Sequence, residues 1–171
     1  MPDYDLLVLG GGTGGYAAAF RAAQLGKRVA LVEQSKVGGT CLHWGCIPAK
    51  AMLESGDLLA KIGKAADFGI QITPATGIDT TVVGARRDKI VAKMHAGLKS
   101  LFKKNNVELI AARGTITAPG TVNAALVDEA GQPTGEARTI TATDIVVATG
   151  SSVRSIPGLE TDGKTVVNSD D

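Results

Sequence analysis

Residues 5–33, "DLLVLGGGTGGYAAAFRAAQLGKRVALVE", constrain the fold more than any other stretch of the chain. "DLLVLG" over 5–10 is an unbroken apolar run, the pattern of a strand buried on both faces of a parallel sheet. "GGTGG" turns the chain, and the alanine-rich "YAAAFRAAQLGK" reads as a helix that Gly26 closes as its C-cap. "RVALVE" over 28–33 reads as a second buried strand. Strand, tight turn, helix and strand make a βαβ unit, and such a crossover is right-handed with its strands parallel.

The turn carries Gly10-x-Gly12-x-x-Gly15, placed after a strand and opening a helix. In that place the spacing has a physical meaning. Gly10 permits the tight turn, Gly12 lets the backbone approach a pyrophosphate, and Gly15 lets helix and strand pack closely. The helix N-terminus adds unpaired N–H groups and a partial positive charge. Glu33 ends the second strand about 20 positions on, where ribose hydroxyls are held. These residues predict a dinucleotide site. An acid at this point suits NAD and the adenosine half of FAD equally. "IVVATGS" over 145–151 is a second candidate contact, because a buried strand ending in Ala148-Thr149-Gly150 brings backbone to the carboxyl edge of the sheet.

"GGTCLHWGCIPAK" over 38–50 holds the two cysteines of the chain, Cys41 and Cys46. A metal site, a structural staple and a redox couple all deserve weighing. Zinc spacing is not matched: of the two histidines, His43 lies between the cysteines and His95 lies in a distant helical segment. Residues five apart on a regular helix are too far separated for a disulfide, whose Cα atoms must approach within roughly 7 Å. A bonded pair therefore needs Cys41 in a turn or a distorted first helical turn. Gly38, Gly39 and Gly45 ease that distortion, and Pro48 is tolerated near a helix start. A helix N-terminus also stabilises a thiolate. The segment reads as a redox pair beside a nucleotide.

Further along, a helix is expected over roughly 45–64, a looser Gly- and Thr-rich stretch over 66–80, and a helix from about Val82 to Asn105. In the last, Ile90, Met94, Leu98, Leu101 and Phe102 recur at helical spacing, and Lys103 and Lys104 suit a solvated helix end. Strands are expected over 107–118, 121–127 and 138–148, with "DEAGQPTGEA" as the polar turn before the last. "SSVRSIPGLETDGKTVVNSDD" carries turn signals and no closing element, so residues 1–150 are expected to form the domain and 151–171 a linker. The 171 residues hold 44% hydrophobic and 20% charged side chains, which excludes a disordered chain. A net charge of +1 implies no basic face and no nucleic-acid partner. No apolar run reaches membrane-span length, and the first strand starts almost at Met1, so a cytoplasmic protein without a targeting peptide is expected. In that compartment a transient catalytic disulfide is permitted and a stable structural one is disfavoured.

Taken together, the nucleotide stretch, the cysteine segment, "LFKKNNVELIAARG" and "IVVATGS" resemble, in order and over nearly the whole chain, the pyridine nucleotide–disulfide oxidoreductases. The Cys-Leu-x-x-Gly-Cys-Ile-Pro-x-Lys form looks most like the family's dihydrolipoamide dehydrogenase branch, with His43-Trp44 standing where Asn-Val is common. The resemblance implies a Rossmann-like α/β FAD-binding domain, a parallel sheet plus a small antiparallel meander, left incomplete in a chain of this length. It implies FAD held by Gly10, Gly12, Gly15 and Glu33, by Gly39, Thr40 and Cys41 beside the flavin, and by Gly114, Thr149 and Gly150. Cys46 would face the flavin, Cys41 would exchange with the substrate disulfide, and Lys50 would favour negative charge on the reduced ring. The implied reaction is oxidation of dihydrolipoamide, or of the lipoyl domain of a 2-oxoacid dehydrogenase complex, with NAD bound outside this chain and a homodimer as the full-length form. A glutathione- or mercuric-reductase-like relative and a non-catalytic nucleotide-binding or thiol-switch module are the alternatives. His95 is expected on the surface and His43 as an ordinary loop residue, with Trp44 packing or stacking at the site mouth.

Overall fold

A computed structural model describes residues 1–73 and 77–170. Five strands and four helices follow in the order β1 (Tyr4–Leu9), α1 (Thr13–Gln24), β2 (Val29–Glu33), α2 (Gly39–His43), α3 (Cys46–Gly63), α4 (Thr80–Lys104), β3 (Glu108–Ala118), β4 (Thr121–Val127) and β5 (Pro133–Val147). A short 3-10 turn, Ala65–Phe68, follows α3. Part of the expected loose stretch, residues 74–76, lies outside the described residues, as does position 171 of the expected linker.

The strands make two sheets that share members. β3, β2, β1 and β5 lie side by side in parallel, with Leu7 paired to Ala30 on one side and Ile145 on the other. Beyond Ala111, β3 leaves this sheet and pairs antiparallel with β4, which pairs in turn with the first half of β5. Two long strands thus belong to both sheets, and the pairing closes on itself. Alternation then sorts the side chains. Leu7, Leu9, Ala30, Val32 and Ile110 meet Val122, Ala124, Ile140 and Ala142 of the meander in one apolar core. Val8, Val29 and Leu31 point the other way, onto Ala19 of α1 and Leu98 and Phe102 of α4. Meander, parallel sheet and helices form three layers, the architecture expected of the sequence.

The helix ends follow from their local chemistry. At the end of α1, Gly26 takes φ +80° while its N–H and that of Lys27 bond to the Ala23 and Ala22 carbonyls, the Schellman arrangement. Asn106, with φ +53°, plays the same part after α4. α4 starts two residues before the expected Val82, because the Asp79 carboxylate accepts from the Thr81 and Val82 N–H groups and caps the helix there. β5 also starts earlier than expected, at Pro133. Asp128 accepts from the Ala130 and Gln132 N–H groups and closes the reversal within 128–132, and proline is tolerated as a first strand residue. Residues 151–170 form no helix or strand. No helix among the described residues is long and apolar enough to cross a membrane.

Candidate nucleotide and disulfide site

The glycine fingerprint sits at the carboxyl end of β1, and its three glycines do different work. A Cβ on Gly15 would fall 1.8 Å from the Gly10 carbonyl oxygen, so only glycine lets α1 approach the turn this closely. At Gly10, with φ +102°, a Cβ would meet the Ala148 carbonyl oxygen at 2.2 Å. That approach, with the 2.8 Å bond from the Ala148 N–H to the Leu9 carbonyl, sets Thr149 and Gly150 beside the fingerprint. Around Gly12, by contrast, a Cβ would find nothing within 4 Å. Gly12 is also the N-cap of α1, where no side chain caps the helix and the first turn holds no acid. An open backbone cradle with uncapped N–H groups fits a pyrophosphate.

Glu33 closes the other end. One carboxylate oxygen accepts from the Gly11 N–H at 2.7 Å and the other from the Ser35 N–H at 2.8 Å. Each oxygen keeps a lone pair for a ribose hydroxyl. Glu33, Gly10, Gly114 and Thr149 line one cleft of about 290 Å³, together with Gln34 and Arg113. Gly114 lies on β3 against Leu9, where a Cβ would come within 2.9 Å of the leucine side chain. Gln34 and Arg113 were not among the expected contacts; their only signal in the sequence is adjacency to Glu33 and Gly114.

The cysteine turn is bonded directly to this cradle. The Gly38 N–H donates to the Gly11 carbonyl at 2.8 Å, and a Cβ on Gly39 would meet the Gly12 Cα at 2.8 Å. Cys41 lies in the five-residue α2, the chain breaks at Trp44-Gly45, and Cys46 opens α3. The break brings the two Cα atoms to 4.6 Å and joins the sulfurs in a disulfide. Cys46 is exposed, Cys41 half-buried, and Lys50 lies exposed one turn beyond Cys46. Cys41 also lines an apolar cleft of about 320 Å³ with Tyr16, Ile47, Met94, Leu98 and Leu101.

The profile of the pyridine nucleotide-disulphide oxidoreductase family matches residues 4–171. The chain belongs to that family. Among curated relatives, the dihydrolipoyl dehydrogenase of Bacillus subtilis is 41% identical over 99% of the chain and 36% of the relative. Dihydrolipoyl dehydrogenase 3 of Pseudomonas aeruginosa is 40% identical over 99% of the chain and 35% of its own length. The mitochondrial dihydrolipoyl dehydrogenase of Dictyostelium discoideum is 39% identical over 96% and 33%. The chain thus spans about a third of the length of these relatives.

Both histidines are placed otherwise than expected. The His43 Nε2 bonds the Val37 carbonyl at 3.0 Å, and its ring lies edge-on to His95, centroids 4.9 Å apart. His95 is therefore a half-buried residue of α4 packed on the cysteine turn, not a surface one. Burial above all, then His43, Lys99 and Lys36, hold its pKa below the ordinary value. Trp44 lies 5.3 Å from the His43 ring and lines a cleft with Pro48, Arg87 and Val91.

Proposed function

We propose that this chain is the FAD-binding and disulfide-bearing part of a dihydrolipoamide dehydrogenase, oxidising dihydrolipoamide to lipoamide at the expense of NAD. The single observation that carries the reading is the contiguity of the glycine cradle and the Cys41–Cys46 turn, tied by the Gly38–Gly11 bond. When bound, FAD supplies a two-electron carrier between dithiol and nicotinamide. Gly12 and the α1 N-terminus would hold its pyrophosphate, Glu33 its ribose, and Gly10, Gly15, Gly114, Thr149 and Gly150 the backbone shape around them. Gly39, Thr40, Cys41 and Lys50 would flank the flavin ring. The nicotinamide site lies outside these 171 residues, residues 1–150 act as the FAD domain, and 151–171 lead away from it. The holoenzyme is a cytoplasmic homodimer serving the lipoyl domain of a 2-oxoacid dehydrogenase complex.

The thiol chemistry takes the family's division of roles, Cys41 as the interchange thiol at the apolar cleft and Cys46 as the thiol facing the flavin. A substrate thiolate attacks the Cys41 sulfur, the Cys41–Cys46 bond breaks, and Cys46 leaves as a thiolate. The second substrate thiol then displaces Cys41, so the substrate departs as a cyclic disulfide and two electrons remain on the cysteines. The apolar lining of the Cys41 cleft favours an aliphatic dithiolane over a charged disulfide such as oxidised glutathione. Visible absorption of the chain loaded with FAD and desalted tests the proposal. A retained flavin spectrum that gains a long-wavelength band on two-electron reduction, lost in Cys46→Ser, is expected. A colourless protein after desalting would overturn the assignment of the cradle to FAD.

A further inference from the structure

One contact to the cysteine turn plays no part in the chemistry above. His43 on α2 and His95 on α4 meet edge to face, with ring planes at 83°. The Val37 carbonyl can only accept, so the 3.0 Å bond puts the proton of neutral His43 on Nε2. Positions 41 and 43 do not share a helix face. Cys41 lines the apolar cleft and His43 a different one, so His43 bears on the disulfide through the placement of the turn.

Two of the charges near His95, Lys99 and Lys36, oppose a proton on its ring. Lys36, Arg87, Asp88 and Asp170 line the His43–His95 cleft, and Arg87 is engaged by Asp88 at 2.8 Å. On its other side His95 shares a wall with Lys36, Lys99, Glu33, Asp128 and Glu129. Glu33 is bonded to the Gly11 and Ser35 N–H groups, and Asp128 to those of Ala130 and Gln132. Lys36 enters from the loop before α2 and Lys99 from α4, so a proton on His95 meets like charge from both elements.

We propose that His95 is a positioning residue for the Cys41–Cys46 disulfide, holding α2 through its ring contact with His43 while His95 is neutral and releasing it when His95 takes up a proton. The inference rests on the redox reading of that disulfide. Acid then loosens the turn and opens the bond to reductant.

The test is reduction of the oxidised chain by a water-soluble phosphine, in wild type and His95→Phe, across about pH 5.5 to 8. The phosphine attacks one sulfur and the S–S bond breaks. Water gives its oxygen to phosphorus and its protons to the two thiolates, and the phosphine departs as its oxide. Dividing the two rates at each pH cancels the ionisation of the reagent. The wild-type rate relative to His95→Phe is expected to rise roughly fivefold towards the acid end, the lower range of coupling between sites. His95→Gln, which keeps a polar side chain and removes the titration, should match His95→Phe. The fluorescence of Trp44, beside His43, should titrate over the same interval in wild type and lose that step in both variants. A flat rate ratio for both variants overturns the inference and leaves the redox reading standing. Failure of the reduced pair to return to a Cys41–Cys46 disulfide with a mild thiol oxidant would overturn the redox reading itself.

Discussion

Alanine placed at successive glycines of the fingerprint should give three different results from chemically identical substitutions. A methyl at Gly15 would lie 1.8 Å from the Gly10 carbonyl oxygen, whereas at Gly14 and Gly12 it meets nothing within 4 Å. An ordinary carbon–oxygen contact is more than 1 Å longer than the first, so either α1 or the β1 turn must move. Overpacking of this kind costs about 3 kcal/mol, which for a chain of this size lowers Tm by roughly 6–12 °C. Gly14→Ala occupies a free helical position and should stabilise by about 0.5–1 kcal/mol, raising Tm by roughly 1–4 °C. Gly12 has φ −70° and needs no special conformation. Gly12→Ala places a poor N-cap residue and should cost about 1 kcal/mol, lowering Tm by roughly 2–4 °C, while its methyl fills the phosphate cradle. Thermal unfolding followed by circular dichroism, paired with FAD retention after desalting, separates the cases. Equal Tm for the Gly15 and Gly14 variants would refute the close helix–turn packing, and full FAD retention by Gly12→Ala would refute the position given to the pyrophosphate.

Phe102 is 2% exposed and meets Phe20 edge-on at 4.8 Å, so Phe102→Ala should cost about 3–5 kcal/mol in urea unfolding; a loss below 1 kcal/mol would show that α4 is not anchored there. His95 predicts an acid-side loss of stability. Its folded pKa lies below its ordinary 6.5, chiefly through burial, so the unfolded chain binds more protons in acid. The contribution is whole above about pH 6.5 and is lost as pH falls through the lowered folded value. His95→Gln should flatten the dependence of the urea midpoint on pH between about 7 and 5, and an unchanged slope would count against it.

Much of the fold was legible because the chain punctuates itself with residues of narrow use. The βαβ unit was readable from its glycines, and both Schellman ends rest on one glycine and one asparagine beside the helix. α3, β3 and β4 fall within a residue or two of expectation. The errors lie where a side chain decides a boundary by bonding to backbone: Asp79 starts α4 early, and Asp128 lets β5 begin at Pro133. α2 was hidden because five residues carry no periodicity. The placement of His95 is hidden for a different reason. Its helix neighbours are lysines, which argue for solvent, and the ring that covers it comes from 52 positions earlier in the chain. Contacts between segments that far apart leave no local pattern to read.

The central strand β1 has partners of very different age during synthesis. β2 follows within thirty residues, but Tyr4 pairs with Ala142, 138 positions later. At ribosomal speeds of about 5–20 residues per second, that gap is roughly 7–28 s. Through that interval one edge of an apolar strand has no neighbour, and the meander that must cover the same face is still being made. Contacts of such sequence separation also slow folding after release. Chaperone dependence of the nascent chain should therefore peak before residue 142 emerges and fall once β5 docks.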